Sequence, residues 1–328
     1  MTTRLVLLVA LFVSLAASAA AAPTAAAAAT SAEDDGGSTS ASLAKRALLP
    51  RHRLVFQSLT AVQVNPLGVQ TELRVDYRFR LFNSTSLLLR DSYIGAGFVG
   101  KVNPAFARVG AAITIQPAAV LTLRAQWEWR GYWGAFNNLM SFDSPNAEYD
   151  DDTRAELGDA NRNYRGGGQQ ITLQAIARAK VGPIALVNDF SLLYFRMNLA
   201  GSDTVFYDAF IDALVPRDGP VLANHAHLLW VTKFGLIAGV RWTLMHAVYP
   251  ASVFPGGSPT ENINTPSHRV GPIVAYTFKS RGRFYQKPTV AAIVNWWVKN
   301  RYRAGTKVNQ GVPYVVVAFR FDGDLWSH

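Results

Sequence analysis

The sequence predicts an all-β fold, an antiparallel transmembrane β-barrel of about twelve strands, with about ten or fourteen strands as alternatives. Three observations support this prediction. Apolar and polar residues alternate one by one over many segments, and these segments are joined alternately by tight turns and long polar loops. Beyond the N-terminus, no apolar run reaches the roughly 18 residues that a transmembrane helix needs.

The N-terminal residues have the pattern of a secretory signal peptide. Arg4 precedes the apolar run 5–13, and Ala17-Ser18-Ala19 fits an A-x-A cleavage site, so residues 1–22 are predicted to be removed on export. A membrane anchor is the alternative, but the apolar run is short for one. Residues 23–50 are rich in Ala, Ser, Thr and Gly, which predicts a disordered linker. The barrel domain is therefore predicted at 51–328.

The alternation is clearest over residues 72–81. Its apolar members are Leu73, Val75, Tyr77, Phe79 and Leu81, and its polar members are Glu72, Arg74, Asp76, Arg78 and Arg80. Successive side chains of a strand point to opposite faces, so all the charges fall on one face and all the apolar groups on the other. The pattern recurs near 107–116, 121–130, 171–178, 236–244, 270–279 and 314–322.

Together with less regular segments, the pattern predicts strands of a length that can cross an apolar band at a tilt. The predicted strands are 53–64, 70–83, 88–101, 105–116, 119–133, 168–181, 184–199, 222–233, 234–248, 268–279, 284–300 and 312–322. The strand number stays open because 88–101, 184–199 and 222–233 alternate less cleanly.

The connections between these strands alternate in length over the C-terminal part of the chain. Tight turns near 116–118, 182–183, 233–235 and 280–283 alternate with polar loops at 134–167, 200–221, 249–267 and 301–311. Short turns at one end and long loops at the other are typical of transmembrane barrels. An even number of strands would return the C-terminus to the side where the chain enters.

Composition excludes several classes of function. The 328 residues include no cysteine, which excludes disulfides, thiol nucleophiles and cysteine-ligated metal or iron–sulfur sites. Charged residues make up 16%, fewer than the roughly 25% of soluble domains. The formal net charge of +10 could suit nucleic acid. The charges are scattered over many strands of an exported chain and no recognition motif appears, so no nucleic-acid partner is predicted.

The apolar strand faces are predicted to point outward to lipid. A soluble β protein, with its apolar faces inside, is the alternative. The polar faces carry Arg with Gly and Thr rather than a mixture of Lys and Glu, and the apolar faces end in aromatic residues, which favour membrane–water interfaces. The predicted interface residues are Trp127, Trp129, Trp133, Trp242, Tyr276 and Trp296.

With its export signal and closed barrel, the chain resembles the outer-membrane β-barrel proteins of Gram-negative bacteria, by pattern over residues 53–328 and without a specific family. Such proteins usually end in an aromatic residue; here Phe319 and Phe321 alternate correctly, but Ser327 and His328 follow Trp326. The resemblance implies an outer-membrane location, with outer-membrane lipid, lipopolysaccharide and the barrel-assembly machinery as partners. It leaves the oligomeric state open.

The polar faces are predicted to line a narrow lumen that passes small anionic or polar solutes, because rings of Arg select anions. The predicted pore-lining residues are Arg74, Arg78, Arg80, Arg108, Arg124, Glu128, Arg130, Arg178, Arg241 and Arg320, and Arg269 lies on the same set of faces. In the alternative, these arginines pair with Glu72, Asp76 and Glu128 and plug the lumen. The protein would then be a structural or adhesion barrel that binds a surface partner by its loops.

Other motifs predict no catalytic residue, metal site or cofactor. The glycine-rich segment 95–100 matches a dinucleotide fingerprint, Gly95-Ala96-Gly97-Phe98-Val99-Gly100. The sequence around it does not have the pattern of a βαβ unit, so the segment is predicted to be a barrel strand. His225 and His227 share a strand face near the predicted loop end and form a rim or lumen pair without a third metal ligand.

The third functional hypothesis is a hydrolase that acts at the rim of the barrel on lipid or peptide. Its best sequence support is the pair His246 and Ser252, whose spacing fits no known motif. The acidic segment 143–159 lacks the spacing of a calcium loop and is predicted to be solvated and mobile. The longer loop 134–167 is long enough to fold into the pore.

Overall fold

In the computed structural model, residues 49–259, 262–280, 282–305 and 311–328 are described. The predicted signal peptide and nearly all of the predicted linker lie outside these residues. Among them, no helix is long and apolar enough to span a membrane.

The described residues form a closed antiparallel barrel of twelve strands, which confirms the predicted fold class and strand number. Its strands are β1 (His52–Val64), β2 (Gly68–Arg80), β3 (Tyr93–Val102), β4 (Phe106–Ala118), β5 (Leu121–Trp133), β7 (Arg165–Val181), β8 (Ile184–Asn198), β11 (Asp218–Val231), β12 (Leu236–Ala247), β13 (Ser267–Thr277), β14 (Gln286–Lys299) and β15 (Tyr314–Ser327). The first and last strands close the barrel: Ala61 of β1 pairs with Gln70 of β2 on one side and with Ala318 of β15 on the other.

The remaining elements belong to the loops. Strands β6 (Ser141–Phe142), β9 (Val205–Asp208) and β10 (Ala213–Pro216) form a separate three-stranded sheet, here called the loop sheet. Helix α1 spans Asp151–Asp159, and two 3₁₀ turns span Ala251–Val253 and Pro255–Gly257. Asp150 caps α1 by accepting a hydrogen bond from the Thr153 backbone N–H, 2.8 Å from its Oδ1.

The two ends of the barrel differ as the sequence predicts. One end, the short-turn end, has the connections 81–92, 119–120, 182–183, 232–235 and 278–285 together with the C-terminal residues. The other, the long-loop end, has the connections 65–67, 103–105, 134–164, 199–217, 248–266 and 300–313. At the long-loop end, the four long connections all follow β5, and the two connections before β5 are short. The loops therefore gather over one part of this end.

The outer face of the barrel is apolar. Leu73, Ile113, Leu173, Val240 and Val317, from five different strands, are each between 47% and 56% exposed. Exposed apolar area of this extent is unusual for a soluble protein and is typical of a barrel surrounded by lipid. The predicted facing of these strands is therefore confirmed.

The inner face is not polar all round, and here the sequence expectation is wrong. Strands β8 and β11–β15 each have a stretch that is apolar on both faces; on β13, for example, Ile273 is buried inside while its neighbour Val274 is exposed outside. The inward apolar side chains pack together and fill that sector. The cluster comprises Leu59, Ala61, Ile176, Ala185, Val187, Leu229, Val231, Ile237, Ile273, Ala275, Ala291, Ile293, Trp297, Tyr314, Val316 and Ala318.

Candidate functional site

The charged side of the barrel interior is built by strands β2–β5 and β7. At its centre Lys101 lies between two carboxylates: its Nζ is 2.8 Å from Oε1 of Glu128 and 3.8 Å from Oε2 of Glu72. Arg74 also pairs with Glu72. Glu128 therefore lies in a buried ion-pair network. Sequence reasoning missed Lys101 because 88–101 alternates poorly, although Lys101 shares the inward face of β3 with Gly97.

Gly97 lets β2 and β3 approach closely inside the barrel. A Cβ added at this position would lie 2.3 Å from Oδ1 of Asp76 and 2.3 Å from the carbonyl oxygen of Val75. The glycine run 95–100 is part of β3, so its interpretation as a barrel strand is confirmed.

Next to the charged network lies a cavity of about 140 Å³, here called the chamber. Six Arg or Lys side chains line it, but only two carboxylates do among the described residues. The cations are Arg74, Lys101, Arg108, Arg124, Arg241 and Arg269, and the carboxylates are Glu72 and Asp189. The chamber therefore has an excess of positive charge.

Several interior arginines bind neutral groups instead of carboxylates. Nε of Arg124 is 2.9 Å from the Thr114 hydroxyl, and Nη1 of Arg178 is 2.8 Å from the Thr122 hydroxyl. Nη2 of Arg108 donates to Oε1 of Gln70 over 2.5 Å. A guanidinium that binds only neutral acceptors keeps its charge available for an anion.

His225 and His227 are buried inside the barrel, so of the two predicted placements, rim or lumen, they have the lumen one; they lie at the middle of β11 and not near its loop end, where the sequence analysis placed them. The strand begins at Asp218, earlier than the predicted residue 222, so both histidines lie farther from the end of the strand than predicted. Nδ1 of His225 accepts a hydrogen bond from Nη2 of Arg241 over 2.8 Å. The described residues contain no cluster of three His, Asp or Glu side chains arranged for a metal.

Toward the short-turn end, arginines and carboxylates alternate and are partly exposed. Arg78 pairs with Asp76 at 3.3 Å, and Arg320 pairs with Asp322 at 3.0 Å. Arg80 lies at the rim, where its Nη1 donates to the carbonyl oxygen of Leu49 over 2.5 Å. It is therefore outside the chamber, unlike Arg74 of the same strand.

The long-loop end is packed by the loops. Leu139, Phe206, Ile211 and Val215 of the loops form an apolar cluster with inward barrel residues. Those barrel residues are Ala105, Phe106, Tyr132, Phe195, Met197, Val221, Ala223, Met245 and Ala247. The loops thus fold into this end of the barrel, as the length of 134–167 suggested.

A buried ion pair fixes the loop sheet to the barrel. Nη2 of Arg130 is 2.7 Å from Oδ2 of Asp208, and both side chains are at least 98% buried. The Arg130 guanidinium also lies among the rings of Phe106, Tyr132 and Phe195, at 5.1–5.5 Å. Burial works against the charge of Asp208, but Arg130 outweighs it and keeps the pKa of Asp208 below its ordinary value.

A second set of ion pairs joins the loops to one another. Arg303 binds Asp212, with Nε 2.5 Å from Oδ2, and binds both oxygens of Asp151 at 3.0 Å. Its Nη1 also donates to Oδ1 of Asn65 over 2.6 Å, so one side chain joins four connections. Despite its burial, these carboxylates raise the pKa of Arg303 above its ordinary value.

Most carboxylates of the acidic segment 143–159 are exposed to solvent, as its sequence suggested, but the segment is not an irregular loop throughout. It contains the capped helix α1, and Glu148 and Asp151 pair with Arg301 and Arg303. Partial burial works against the charge of Asp151, yet the Arg303 guanidinium keeps the pKa of Asp151 below its ordinary value.

The predicted interface aromatics all lie on outward faces, but at different heights. Trp133 and Trp296 are near the long-loop end and Tyr276 is near the short-turn end, whereas Trp127 and Trp242 are at the middle of their strands. Trp129 lies between the middle and the end of β5. The apolar environment makes an indole N–H costly to leave unpaired, and Nε1 of Trp127 donates to Oε1 of Gln169 over 3.2 Å.

The structure gives no support to the pair His246 and Ser252. His246 points away from the barrel interior because it alternates with buried Met245 and Ala247, and Ser252 is exposed in a 3₁₀ turn.

Comparisons with known proteins give distant structural resemblances only. Salmonella typhi OmpF in complex with daunomycin is 7% identical, over 83% of this chain and 98% of that chain, with a TM-score of 0.32. A mutant of the monoaromatic hydrocarbon channel TodX is 8% identical, over 88% and 93%, with a TM-score of 0.37. Outer membrane protein OprD from Pseudomonas aeruginosa is 9% identical, over 86% and 95%, with a TM-score of 0.29.

At these TM-scores the resemblances carry no argument about the function of this chain. No protein-family model matches the chain, and no curated protein matches it. Over its described residues the chain is a closed, twelve-stranded antiparallel barrel with an apolar exterior, the fold that its resemblance to outer-membrane barrels implied.

Proposed function

We propose that this protein is an outer-membrane barrel of a Gram-negative bacterium that passes small anionic solutes through a narrow, arginine-lined interior. The apolar exterior supports the membrane location, with outer-membrane lipid and lipopolysaccharide around the barrel and the assembly machinery inserting it. The observation that carries the channel function is the charge balance of the chamber, with six cationic side chains and two carboxylates among its described lining residues.

The mechanism is electrostatic. An anion leaving water loses its hydration shell, and inward guanidinium groups that bind only hydroxyls or amides replace part of it. Arg124 and Arg178 have such partners, Thr114 and Thr122, so their charges are not neutralised locally. Arg74 and Arg108 continue this basic lining toward the long-loop end.

Solute passage then depends on the loops. The long-loop end is filled by the loop sheet and its apolar neighbours, so a solute crosses only when these loops move. Arg303 joins four of the connections at this end, which makes it the side chain whose removal most directly loosens them.

The test is the reversal potential of the refolded protein in a planar bilayer under a salt gradient. We expect discrete conductance steps that reverse toward the anion potential, with Arg303→Ala raising the frequency of the open state. The double variant Arg124→Ala, Arg178→Ala should lower the anion preference, whereas Arg196→Ala, an exposed arginine on the outer face, should leave it unchanged. Unchanged selectivity in the double variant would contradict the proposed role of the lumen arginines.

A closed structural or adhesion barrel is the second candidate, and the packing of the long-loop end favours it. In that case the loops would bind a surface partner and no solute would pass. A folded, heat-modifiable protein that never conducts, even as Arg303→Ala, would support this candidate and reject the channel.

A further inference from the structure

The part of the chamber beneath the loops contains two buried arginines without carboxylate partners among the described residues. Arg241 is 3% exposed and binds Nδ1 of His225 and the Thr243 hydroxyl. Arg269 is 4% exposed, and its guanidinium carbon lies 3.8 Å from the ring centroid of Tyr314 and 5.0 Å from that of Trp297. Two desolvated guanidinium groups close together are costly unless an anion joins them.

Strand register places these arginines side by side. Thr243 of β12 pairs with His225 on one neighbour and with Arg269 on the other, so the three side chains form one row across the inner wall. Arg241 lies one inward position closer to the short-turn end. Paired strands bring diagonal neighbours of this kind within reach of a single small ligand.

Further hydrogen-bond donors near these arginines lack an acceptor among the described residues. Nε1 of Trp297 and Nδ2 of Asn295 are both buried and unpaired, and so is Oδ1 of Asn295. Both residues lie on the inward face of β14, which pairs with the strand that carries Arg269. Two unpaired donors therefore lie beside these arginines, as expected next to a site for an anion.

The wall on the loop side of these arginines is apolar. Ala223 and Met245 form the next inward-facing pair of residues toward the long-loop end, after the pair of His225 and Thr243. Phe210 and Ile211 of the loops also line the chamber. The lining therefore changes, over one row of residues, from guanidinium groups to apolar side chains. A ligand that fits both must carry a negative charge at one end and an apolar body at the other.

We propose that this part of the chamber is a binding site for a small amphipathic carboxylate, such as a short-chain fatty acid. The carboxylate binds between Arg241 and Arg269, and the alkyl chain packs against Ile211, Ala223 and Met245. Guanidinium groups bind carboxylates with paired hydrogen bonds, and the apolar wall favours the chain by excluding it from water. This site rests on the proposed function, since it specifies a solute class for the same interior.

Calorimetric titration of the refolded barrel in detergent with hexanoate, acetate and hexanol tests the site, with detergent alone as the blank. We expect hexanoate to bind at least about tenfold more tightly than acetate, because it buries additional methylene groups, and about tenfold more tightly than hexanol, which lacks the charge. This comparison uses the unaltered protein. Equal affinity for hexanoate and acetate, equal affinity for hexanoate and hexanol, or no binding of hexanoate would each overturn the proposal.

Variants locate the site. Arg241→Gln and Arg269→Gln should each weaken hexanoate binding by about tenfold or more, whereas Arg196→Gln on the outer face should leave it unchanged. Hexanoate binding that survives both interior substitutions would place the ligand elsewhere. Conductance separates this site from the proposed function: anion-selective conduction without hexanoate binding rejects the site alone, and binding without conduction rejects the channel alone.

Discussion

The two ends of the barrel use arginine differently. At the long-loop end, Arg130 and Arg303 bind the buried carboxylates of Asp208 and Asp212 at 2.7 and 2.5 Å, and Arg303 also binds the exposed Asp151 at 3.0 Å. In the chamber and toward the short-turn end, Arg74, Arg78 and Arg320 also pair with carboxylates, but Arg124, Arg178 and Arg241 bind hydroxyl or imidazole groups. A cation neutralised by a carboxylate stabilises the fold, and a cation without one remains available to a ligand. The group that an arginine binds therefore indicates the role of that arginine better than its location inside the barrel does.

Removing a carboxylate-bound arginine tests this contrast with the largest expected effect. Arg130→Ala leaves Asp208 buried without its partner, which should lower the free energy of unfolding by about 3–5 kcal/mol. Urea unfolding of the refolded barrel measures this change. The matched control is Arg196→Ala, whose pair with Asp218 is exposed on the outer face and should cost less than about 1 kcal/mol. Equal losses in the two variants would contradict a structural role for the buried pair.

The contrast between the two ends assumes that the polar faces point inward, and a charge on the outer face tests that orientation. Leu173 is at the middle of β7 and is 49% exposed. Leu173→Arg should destabilise the barrel in lipid vesicles by about 2–4 kcal/mol, because it places a charge near the centre of the bilayer. Val181→Arg, at the short-turn end of the same strand, should cost about 0–1 kcal/mol. Similar costs at the two positions would contradict the outward facing.

Acid should weaken the long-loop end selectively. The pKa values of Asp208 and Asp151 are held below their ordinary values, so their ion pairs contribute fully above the ordinary pKa of aspartate. That contribution is lost as the pH falls through the lowered pKa values. We expect the free energy of unfolding to fall as the pH is lowered below about 4, and to fall less in Asp208→Asn. An unchanged pH dependence in that variant would show that Asp208 does not carry the effect.

The smallest expected effect concerns an arginine without a carboxylate. Arg124→Gln removes one hydrogen bond to the Thr114 hydroxyl, so the free energy of unfolding should change by less than about 1 kcal/mol. The same urea experiment measures it. A loss as large as that of Arg130→Ala would remove the distinction between the two kinds of arginine.

Much of the fold could be predicted because alternation reports directly on strand facing. On β2, Leu73 and Tyr77 are exposed outside while Glu72 and Asp76 are buried inside, as their spacing indicates. Prediction was weakest where both faces of a strand are apolar, as with Ile273 and Val274. Where both faces are apolar, the sequence pattern does not show which side chains point inward. Only the contacts between side chains of different strands show that the inward residues fill the interior.

The candidate site was predicted less completely because its ion pairs join residues that are far apart in the sequence. The residues next to a side chain in the sequence say little about the residues that it binds across the barrel. Asp208 is 78 residues from Arg130, and Asp151 is 152 residues from Arg303. No local pattern indicates such pairs. Lys101 was missed for a related reason, since its carboxylates come from β2 and β5.

By itself, the sequence determined the fold class and the outward apolar face, since both follow from the two-residue period of a strand and the lengths of its connections. It left the strand number at about twelve, with about ten or fourteen as alternatives. Only the tertiary structure decided which interior charges are neutralised, because ion pairs and apolar contacts depend on distances between strands and loops that are far apart in sequence. It also decided that the loops pack one end and that Arg241 and Arg269 lie together without an ion pair to a carboxylate among the described residues.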